Sequence, residues 1–210
     1  MNWLEALGRK FARLTTNAVV RSPRLWRLFR VLMRAQFDQL APRWDQMRSS
    51  NPLGSFDRAL EAVHGTPKRA LDLGTGTGIG AFLIARRYPE AEVVGVDLSE
   101  RMLDEARCKT PPELASRIRF QEADASSLPF PDESFDLVGL ANMIPFFDEL
   151  ARIVAPGGSV VFSFSAGADT PIYVPSERLR DELSRRGFTQ FADFRVEAGT
   201  SFLARKEEQG

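Results

Sequence analysis

A chain of 210 residues with 43% hydrophobic and 27% charged residues has the length and composition of one globular domain with a modest extension. Its single cysteine and single histidine exclude an internal disulfide and the usual zinc ligand sets, so we predict no metal site and a reducing, cytoplasmic location. We find no apolar run of the roughly 20 residues that a membrane span needs, and we expect no secretory signal. The net charge of zero is unevenly divided, because residues 1–37 hold eight basic residues and one acid.

Amphipathic helices are predicted in this basic segment. The first covers residues 3–14, and the second begins with Ser22 as N-cap and Pro23 at its first position and ends near Pro42. The apolar side chains of the second helix share one face and its arginines lie on another: Leu25, Leu28, Phe29 and Leu32 against Arg24, Arg27, Arg30 and Arg34. Three interpretations stay open, namely a helix packed on the core, a membrane-surface helix and a lid over a substrate. Residues 1–64 are therefore interpreted as a helical extension or lid.

From residue 65 the pattern changes to alternating strands and helices. Strands are predicted at 70–73, 93–96, 118–121, 135–140, 158–164, 188–194 and 200–204, and helices at 56–63, 79–87, 99–107, 146–154 and 177–186. Such alternation is typical of an α/β fold, in which right-handed crossovers build a parallel sheet covered on both faces. The last two strands are joined by a turn so short that they must be antiparallel. We expect this domain to cover residues 65–205 and to be followed by a frayed tail at 206–210.

Residues 70–80, with the sequence ALDLGTGTGIG, are the most informative stretch. A short apolar strand breaks into glycines at every second position and then continues as a helix. This arrangement brings backbone N–H groups and a helix N-terminus against a bound ligand, and glycine allows close approach because it lacks a Cβ. A tight turn without a ligand is the alternative, but four alternating glycines are more than a turn requires.

Acidic residues follow the second and third predicted strands. Asp97 comes 21 positions after Gly76, which is the spacing at which an acid meets a ribose in nucleotide-binding folds. The alternative for Asp97 is to cap the next helix, but Ser99 is well suited to that role. Asp124 could accept a hydrogen bond from an exocyclic amino group, or it could be a solvated turn residue.

Together these motifs resemble the class I S-adenosylmethionine (SAM)-dependent methyltransferases, over about residues 66–205. The resemblance rests on residues 72–78 (acid-x-G-x-G-x-G), on Asp97, on Asp124 with the residue after it, and on a Pro-Gly-Gly turn at 156–158 before the fifth strand. It implies a Rossmann-like sheet of seven strands with a reversed last strand, SAM as the cofactor, and methyl transfer by in-line displacement. The cofactor-binding residues that it implies are Asp72, Gly74, Thr75, Gly76, Gly78, Asp97, Leu98, Met102, Asp124, Ala125 and Asn142.

The methyl acceptor is predicted to be a small hydrophobic molecule. Residues 37–45 (FDQLAPRWD) resemble the entrance region of the ubiquinone/menaquinone-type branch of the same family. Aromatic and apolar residues are expected at the mouth of the site, namely Phe37, Trp44, Met143, Phe146 and Tyr173. Nucleic acid is not an expected partner, whereas the basic helix leaves peripheral membrane contact open. No catalytic base is identified, since His64 precedes the first strand and is badly placed.

Two other functions fit part of the sequence. Gly76-x-Gly78-x-x-Ala81 also matches the dinucleotide fingerprint of an NAD(P)-dependent dehydrogenase, but such an enzyme would leave Asp124 and the reversed strand unexplained. A non-catalytic SAM-binding or membrane-associated interaction protein is the other alternative. No motif indicates the oligomeric state.

Overall fold

A computed structural model describes residues 3–47 and 51–208 of the chain. Seven strands form one sheet in the order β3-β2-β1-β4-β5-β7-β6. The strands are β1 (Arg69–Leu73), β2 (Glu92–Asp97), β3 (Ile118–Glu122), β4 (Phe135–Ala141), β5 (Val154–Phe164), β6 (Phe188–Val196) and β7 (Gly199–Lys206). Strands β1 to β5 are parallel, and β7 lies antiparallel between β5 and β6. This topology confirms the predicted seven-stranded, mostly parallel sheet with a reversed last strand.

Seven α-helices accompany the sheet within the described residues. They are α1 (Trp3–Arg21), α2 (Trp26–Leu40), α3 (Gly54–Leu60), α4 (Ile79–Arg87), α5 (Glu100–Lys109), α6 (Phe147–Ile153) and α7 (Ser176–Ser184). Helix α2 ends at Leu40, near Pro42 as predicted, and a 3-10 helix at Ala41–Met47 follows it directly. Residues 209 and 210 of the predicted tail lie outside the described residues.

The Pro-Gly-Gly segment differs from the prediction. Residues 156–158 lie inside β5 rather than in a turn before it, since β5 already begins at Val154. The pairing of β4 with β5 shifts between Phe135 and Leu137, and Gly157 has a φ of +73°. A glycine with positive φ and a proline without an N–H are both compatible with a β-bulge. The segment therefore forms an irregularity within the strand.

Alternating residues of the strands enter two hydrophobic clusters on opposite faces of the sheet. In β5, Val160 and Phe162 belong to the first cluster, whereas Val161 belongs to the second. Helices α6 and α7 pack on the first face, and α3 and α4 pack on the second. Side chains that point alternately to the two faces of a strand produce this division. Because helices cover both faces of the sheet, the edge at the carboxyl ends of the parallel strands is the part of the sheet that a ligand can reach.

Helix α2 packs on the domain through a face that the sequence did not indicate. Trp26 and Met33 are each 7% exposed, and Phe37 packs against the same cluster. Of the apolar face predicted for this helix, Phe29 packs against the cluster, whereas Leu28 is 69% exposed and Leu32 60%. The helix therefore packs on the core, which was one of the three interpretations, but mainly through residues outside the predicted face. No helix among the described residues is long and apolar enough to cross a membrane.

Candidate functional site

A deep cavity opens at the carboxyl ends of the parallel strands, on the side covered by α2 and the 3-10 helix that follows it. Its volume is about 1100 Å³, part of which is open to solvent. The ends of β1, β2 and β4 line it together with the loop between β1 and α4 (residues 74–78), which we call the glycine loop. Ligand sites in open α/β sheets lie at this edge of the sheet. The position therefore makes this cavity the candidate functional site.

The glycine loop forms the floor of the cavity. Gly74 and Gly76 have φ values of +73° and +54°, which favour glycine over other residues. The backbone N–H groups of Gly74 and Thr75 both donate to the Val96 carbonyl at 2.9 Å, so the loop is fixed to β2. Below it, the Asp72 carboxylate, 2% exposed, accepts the Thr75 hydroxyl at 2.6 Å. Asp72 thus holds the loop in shape from beneath.

Two further glycines of the motif serve packing. Gly78 does not line the cavity, and a Cβ on it would meet the Phe82 side chain at 2.8 Å. Gly80 was not predicted as a site residue, yet it lines the cavity, and a Cβ there would lie 2.6 Å from the Asp72 carboxylate. The spacing of the glycines could have indicated Gly80, because it continues the same alternating series. The motif therefore shapes the loop as well as the surface offered to a ligand.

Asp97 lies at the end of β2 with its carboxylate in the wall of the cavity. Its Oδ2 accepts the Gly76 N–H at 2.9 Å and its Oδ1 accepts the Ser99 N–H at 2.9 Å. Burial raises the pKa of this carboxyl above its ordinary value, and the backbone donors of Ser99 and Gly76 oppose that shift only in part. Ser99 caps α5 by accepting the Met102 N–H, as predicted. Because Ser99 caps the helix, Asp97 is not needed as the cap, and it lines the cavity instead.

Asp124 follows β3 and does not line the cavity. Its Oδ1 accepts the Trp26 indole N–H at 2.8 Å, and its Oδ2 accepts from the Arg30 guanidinium at 3.3 Å. Both donors belong to α2, so this carboxylate fastens the helix to the sheet domain. Burial by itself would raise the pKa of Asp124, but hydrogen bonds from Ser126, Trp26 and Arg30 outweigh burial and hold the pKa below its ordinary value. Its neighbour Ala125 does line the cavity.

Asn142 closes the cavity at the end of β4. It is a non-glycine residue with a φ of +54°, a conformation that asparagine tolerates better than most residues. Its side-chain Oδ1 accepts the Ser165 N–H at 2.9 Å, and its Nδ2 donates to the Ser165 hydroxyl at 3.1 Å. These bonds tie the end of β4 to the end of β5. The fixed turn positions the next residue, Met143, beside Gly74.

The predicted acceptor residues divide into two groups. Phe37, Trp44 and Met143 line the cavity, and the rings of Phe37 and Trp44 meet edge to face at 5.5 Å. Phe146 is 4% exposed and packs edge to face on Trp26, away from the lining. Tyr173 also lies outside the lining and packs on Phe164. Apart from Gly80, the lining residues that the sequence did not indicate are apolar: Trp26, Met33, Pro52, Leu53, Leu73, Ile79, Val96, Ala123, Ala141, Ile144 and Ile172.

The N-terminal segment is fastened over the glycine loop by polar contacts. Asp45 accepts the Thr77 hydroxyl at 2.6 Å and the Lys109 ammonium at 2.9 Å. Asp38 accepts the Ser99 hydroxyl at 2.6 Å. These contacts join the segment to residues on either side of Asp97. His64 is exposed and is not among the described residues that line the cavity.

Comparison with known proteins agrees with this geometry. Residues 70–158 match a family model described as a methyltransferase domain. Demethylmenaquinone methyltransferase of Thermus thermophilus is 43% identical over 140 residues, covering 60% of this chain and 62% of that protein. The corresponding enzyme of Deinococcus radiodurans is 41% identical over 138 residues, covering 60% of this chain and 56% of that protein. The chain thus spans about three-fifths of the length of these curated relatives.

A solved structure shares the fold. A structure described as a SAM-dependent methyltransferase of Aquifex aeolicus superposes with a TM-score of 0.64 at 14% identity, covering 79% of this chain and 98% of that one. At that identity the likeness concerns the fold alone. Together with the methyltransferase-domain match over residues 70–158 and the curated relatives, it agrees with the resemblance to the class I SAM-dependent methyltransferases and favours that interpretation over the dehydrogenase one.

Proposed function

We propose that this protein transfers the methyl group of SAM to a small hydrophobic acceptor of the quinone type. The observation that carries the proposal is the continuity of the cavity. It runs from the glycine loop and Asp97 into an apolar chamber lined by Met33, Phe37 and Met143. Demethylmenaquinone methyltransferases are among its curated relatives, which supports an acceptor of that chemistry.

The residues of the cavity fit the cofactor. The Asp97 carboxylate faces the space beside Gly76, where it can accept hydrogen bonds from both hydroxyls of a ribose. Leu98, Met102 and Ala125 supply apolar walls for an adenine ring. A Cβ on Gly74 would meet the Met143 side chain at 3.0 Å, so glycine is what allows these two lining residues to lie close together. These features support SAM as the cofactor.

Asp124 can accept a hydrogen bond from the cofactor through only one of its two carboxylate oxygens. The resemblance assigns it the adenine amino group, yet its Oδ1 already accepts from Trp26 and Ser126. Its Oδ2 receives a single 3.3 Å bond from Arg30, which leaves a free acceptor position on that oxygen. We propose that the adenine amino group donates to Oδ2, either beside Arg30 or in its place.

Catalysis is then mainly a matter of position. The cofactor supplies a methyl group that is already activated by a positive sulfonium. The chain holds the acceptor in line with it and excludes water, and such alignment can lower a barrier by about 7–11 kcal/mol. Among the described lining residues, only Asp72 and Asp97 have ionisable side chains, and both are committed to the loop. We therefore favour an acceptor that has lost its proton to bulk water before it enters the cavity, such as an acidic phenol-type ring.

We further propose that two segments of the chain have different functions. Residues 65–205 form the methyltransferase domain, and residues 1–64 close the acceptor side of the cavity. Trp26, Met33 and Phe37 of α2 contribute to the lining, which supports that assignment. We place the protein in the cytoplasm, because its one cysteine, Cys108, is an exposed free thiol of the kind that a reducing compartment preserves.

The proposal is tested by incubating the protein with isotope-labelled SAM and reduced quinone-type compounds, followed by mass spectrometry of the extracted products. We expect the label in the quinone. Calorimetry should show that Asp97→Ala weakens SAM binding by about 10- to 150-fold, the value of a hydrogen bond to a charged group. Asp104→Ala, at an exposed carboxylate of α5, is the matched control and should bind SAM as the wild type does.

Different failures of this experiment have different meanings. Tight SAM binding without a labelled product from quinones or cell extract would favour the non-catalytic alternative. Unchanged affinity in Asp97→Ala would remove the ribose assignment. An absence of SAM binding by the wild type would overturn the proposal as a whole.

A further inference from the structure

Helices α1 and α2 display an apolar patch that faces solvent. We define this patch by Leu14 of α1, Leu25 just before α2, and Leu28, Val31 and Leu32 of α2. Their exposed fractions are 68%, 36%, 69%, 67% and 60% respectively. Single exposed leucines are ordinary, but several large apolar side chains exposed on one side of a helix mark an interaction site.

The patch lies opposite the face through which α2 packs. Trp26 and Met33 are buried and point to the cavity side. At 100° per residue, Leu28 and Leu32 fall on the other side of the same helix. Packing on the domain therefore cannot account for these leucines, and a different partner must do so.

The charges around the patch identify the kind of partner. Residues 10–37 contain seven basic residues and no acidic residue. Arg30 and Arg34 pair with Asp124 and Glu122 of the domain. Arg21, Arg24 and Arg27 are exposed beside the patch. Exposed apolar side chains with arginines beside them match a partner that has negative charges at its surface and an apolar interior.

We propose that the patch docks this protein on an anionic lipid bilayer, with the leucines entering the boundary between headgroups and acyl chains. Amphipathic helices with this distribution bind membranes in that orientation, and each basic residue near an anionic surface strengthens binding about fivefold. A second copy of the chain fits less well, because a symmetric contact centred on α2 would bring the two rows of arginines together. The docking is independent of methyl transfer and adds to it a location for the protein.

Docking would place the bilayer on the outer side of the wall that closes the cavity. Helix α2 carries the patch on one face and lines the cavity with Trp26, Met33 and Phe37 on the other. A hydrophobic acceptor dissolved in the bilayer would then lie one helix away from the apolar chamber.

Co-sedimentation with lipid vesicles tests the proposal. The full-length protein should bind vesicles of phosphatidylglycerol and phosphatidylcholine but not vesicles of phosphatidylcholine alone, and added salt should weaken the binding. The double variant Leu28→Ser, Leu32→Ser should bind roughly tenfold more weakly or worse, because it removes apolar contact area. The double variant Arg24→Gln, Arg27→Gln should lose about 30-fold.

Matched controls separate docking from general effects. Met47→Ser changes a methionine that is 62% exposed outside α1 and α2, and Arg86→Gln with Arg101→Gln removes two exposed charges from α4 and α5. Both controls should bind as the wild type does. Thermal unfolding confirms that each variant is folded, and the arginine variant carries the test if the leucine variant does not fold.

Three outcomes would overturn the docking. The first is that the wild type fails to bind anionic vesicles at low salt. The second is that the leucine variant binds as strongly as the wild type, since binding would then depend on charge alone. The third is that light scattering shows a wild-type dimer which the leucine variant dissociates, because the patch would then be a contact between copies. Each readout is independent of methyl transfer, so it separates this proposal from the proposed function.

Discussion

Two carboxylates that occupy equivalent places in the sequence differ in their surroundings. Asp97 and Asp124 each follow a parallel strand, and each was assigned to the cofactor on that basis. Burial raises the pKa of Asp97 in the cavity wall, whereas hydrogen bonds hold the pKa of Asp124 below its ordinary value. Above pH 3.8, Asp124 is therefore ionised while Asp97 still titrates. Of these two carboxylates, only Asp97 can make cofactor binding depend on pH in that range.

We expect SAM affinity to increase as the pH rises above 3.8 through the folded-state pKa of Asp97. Because that pKa is raised, protonation of Asp97 contributes stability to the free protein below pH 3.8, and this contribution is lost as the pH rises through the folded-state value. Ribose hydroxyls that donate to the carboxylate favour its charged form, so binding should release a proton. Calorimetry across the range measures both effects.

The control for this pH dependence is Asp97→Asn, which cannot titrate. Any change of its affinity with pH then reports the groups of the cofactor itself. If the wild type and the asparagine variant have parallel profiles, Asp97 is not the group that titrates on binding.

At the scale of single elements, Gly80 near the start of α4 has two opposing effects on stability: glycine disfavours the helix, but it leaves room for the side chain of Asp72. Gly80 is the second residue of α4, and glycine in a helix costs about 1 kcal/mol relative to alanine. A Cβ at this position, however, would lie 2.6 Å from the Asp72 carboxylate beneath the loop. Contact with Asp72 therefore decides which residue is tolerated here, rather than helix propensity.

We expect Gly80→Ala to lower the free energy of unfolding by about 1–2 kcal/mol, since overpacking costs about 1–3 kcal/mol and the gain in helix propensity offsets part of it. Denaturant unfolding of the free protein measures the change. Arg86→Ala, at an exposed position of the same helix, should remain within about 0.5 kcal/mol of the wild type. A more stable Gly80→Ala variant would show that Asp72 moves aside without cost.

Across the whole molecule, the sheet domain and the N-terminal helices differ in how firmly they are held. The central strands contribute many fully buried side chains to the two clusters, whereas α1 and α2 contribute Val19, Trp26 and Met33 to the buried part of the first. Phe29 and Phe37 of α2 are partly buried against the same cluster, and the polar attachment of the helix centres on Asp124. Segments with few buried apolar contacts open most readily, so this cover can separate from the domain without global unfolding.

Native-state hydrogen exchange should therefore show faster exchange in α1 and α2 than in β1, β4 and β5. Trp26→Phe removes the indole N–H that donates to Asp124 and should increase the opening of α2 by roughly tenfold or more, the value of a hydrogen bond to a charged group. Arg34→Gln breaks an ion pair with Glu122 whose side chains are 45% and 39% exposed, and should change the opening less than about fivefold. Equal protection of α2 and the central strands would contradict this view.

The mostly parallel sheet with its reversed last strand, the glycine loop and the position of Asp97 could be predicted from the sequence because each follows from a local pattern. A strand followed by alternating glycines and a helix has few other solutions, and the carboxyl ends of parallel strands necessarily share one edge of the sheet. Asp97 needed only a count of residues from Gly76. The resemblance to a methyltransferase family rests on the same motifs, and the comparisons agree with it.

Three features were decided by the tertiary structure alone, because each depends on residues far apart in the chain. Asp124 is engaged by Trp26, 98 positions away, so its role as a fastening for α2 has no local signal. Phe146 and Tyr173 have the right chemistry for an acceptor site, but packing on Trp26 and Phe164 directs them away from the lining. Helix α2 has apolar residues on more than one side, and contact with the sheet domain selects Trp26 and Met33 for burial while leaving Leu28 and Leu32 in solvent. The pattern of one helix cannot determine which of its apolar faces finds a partner.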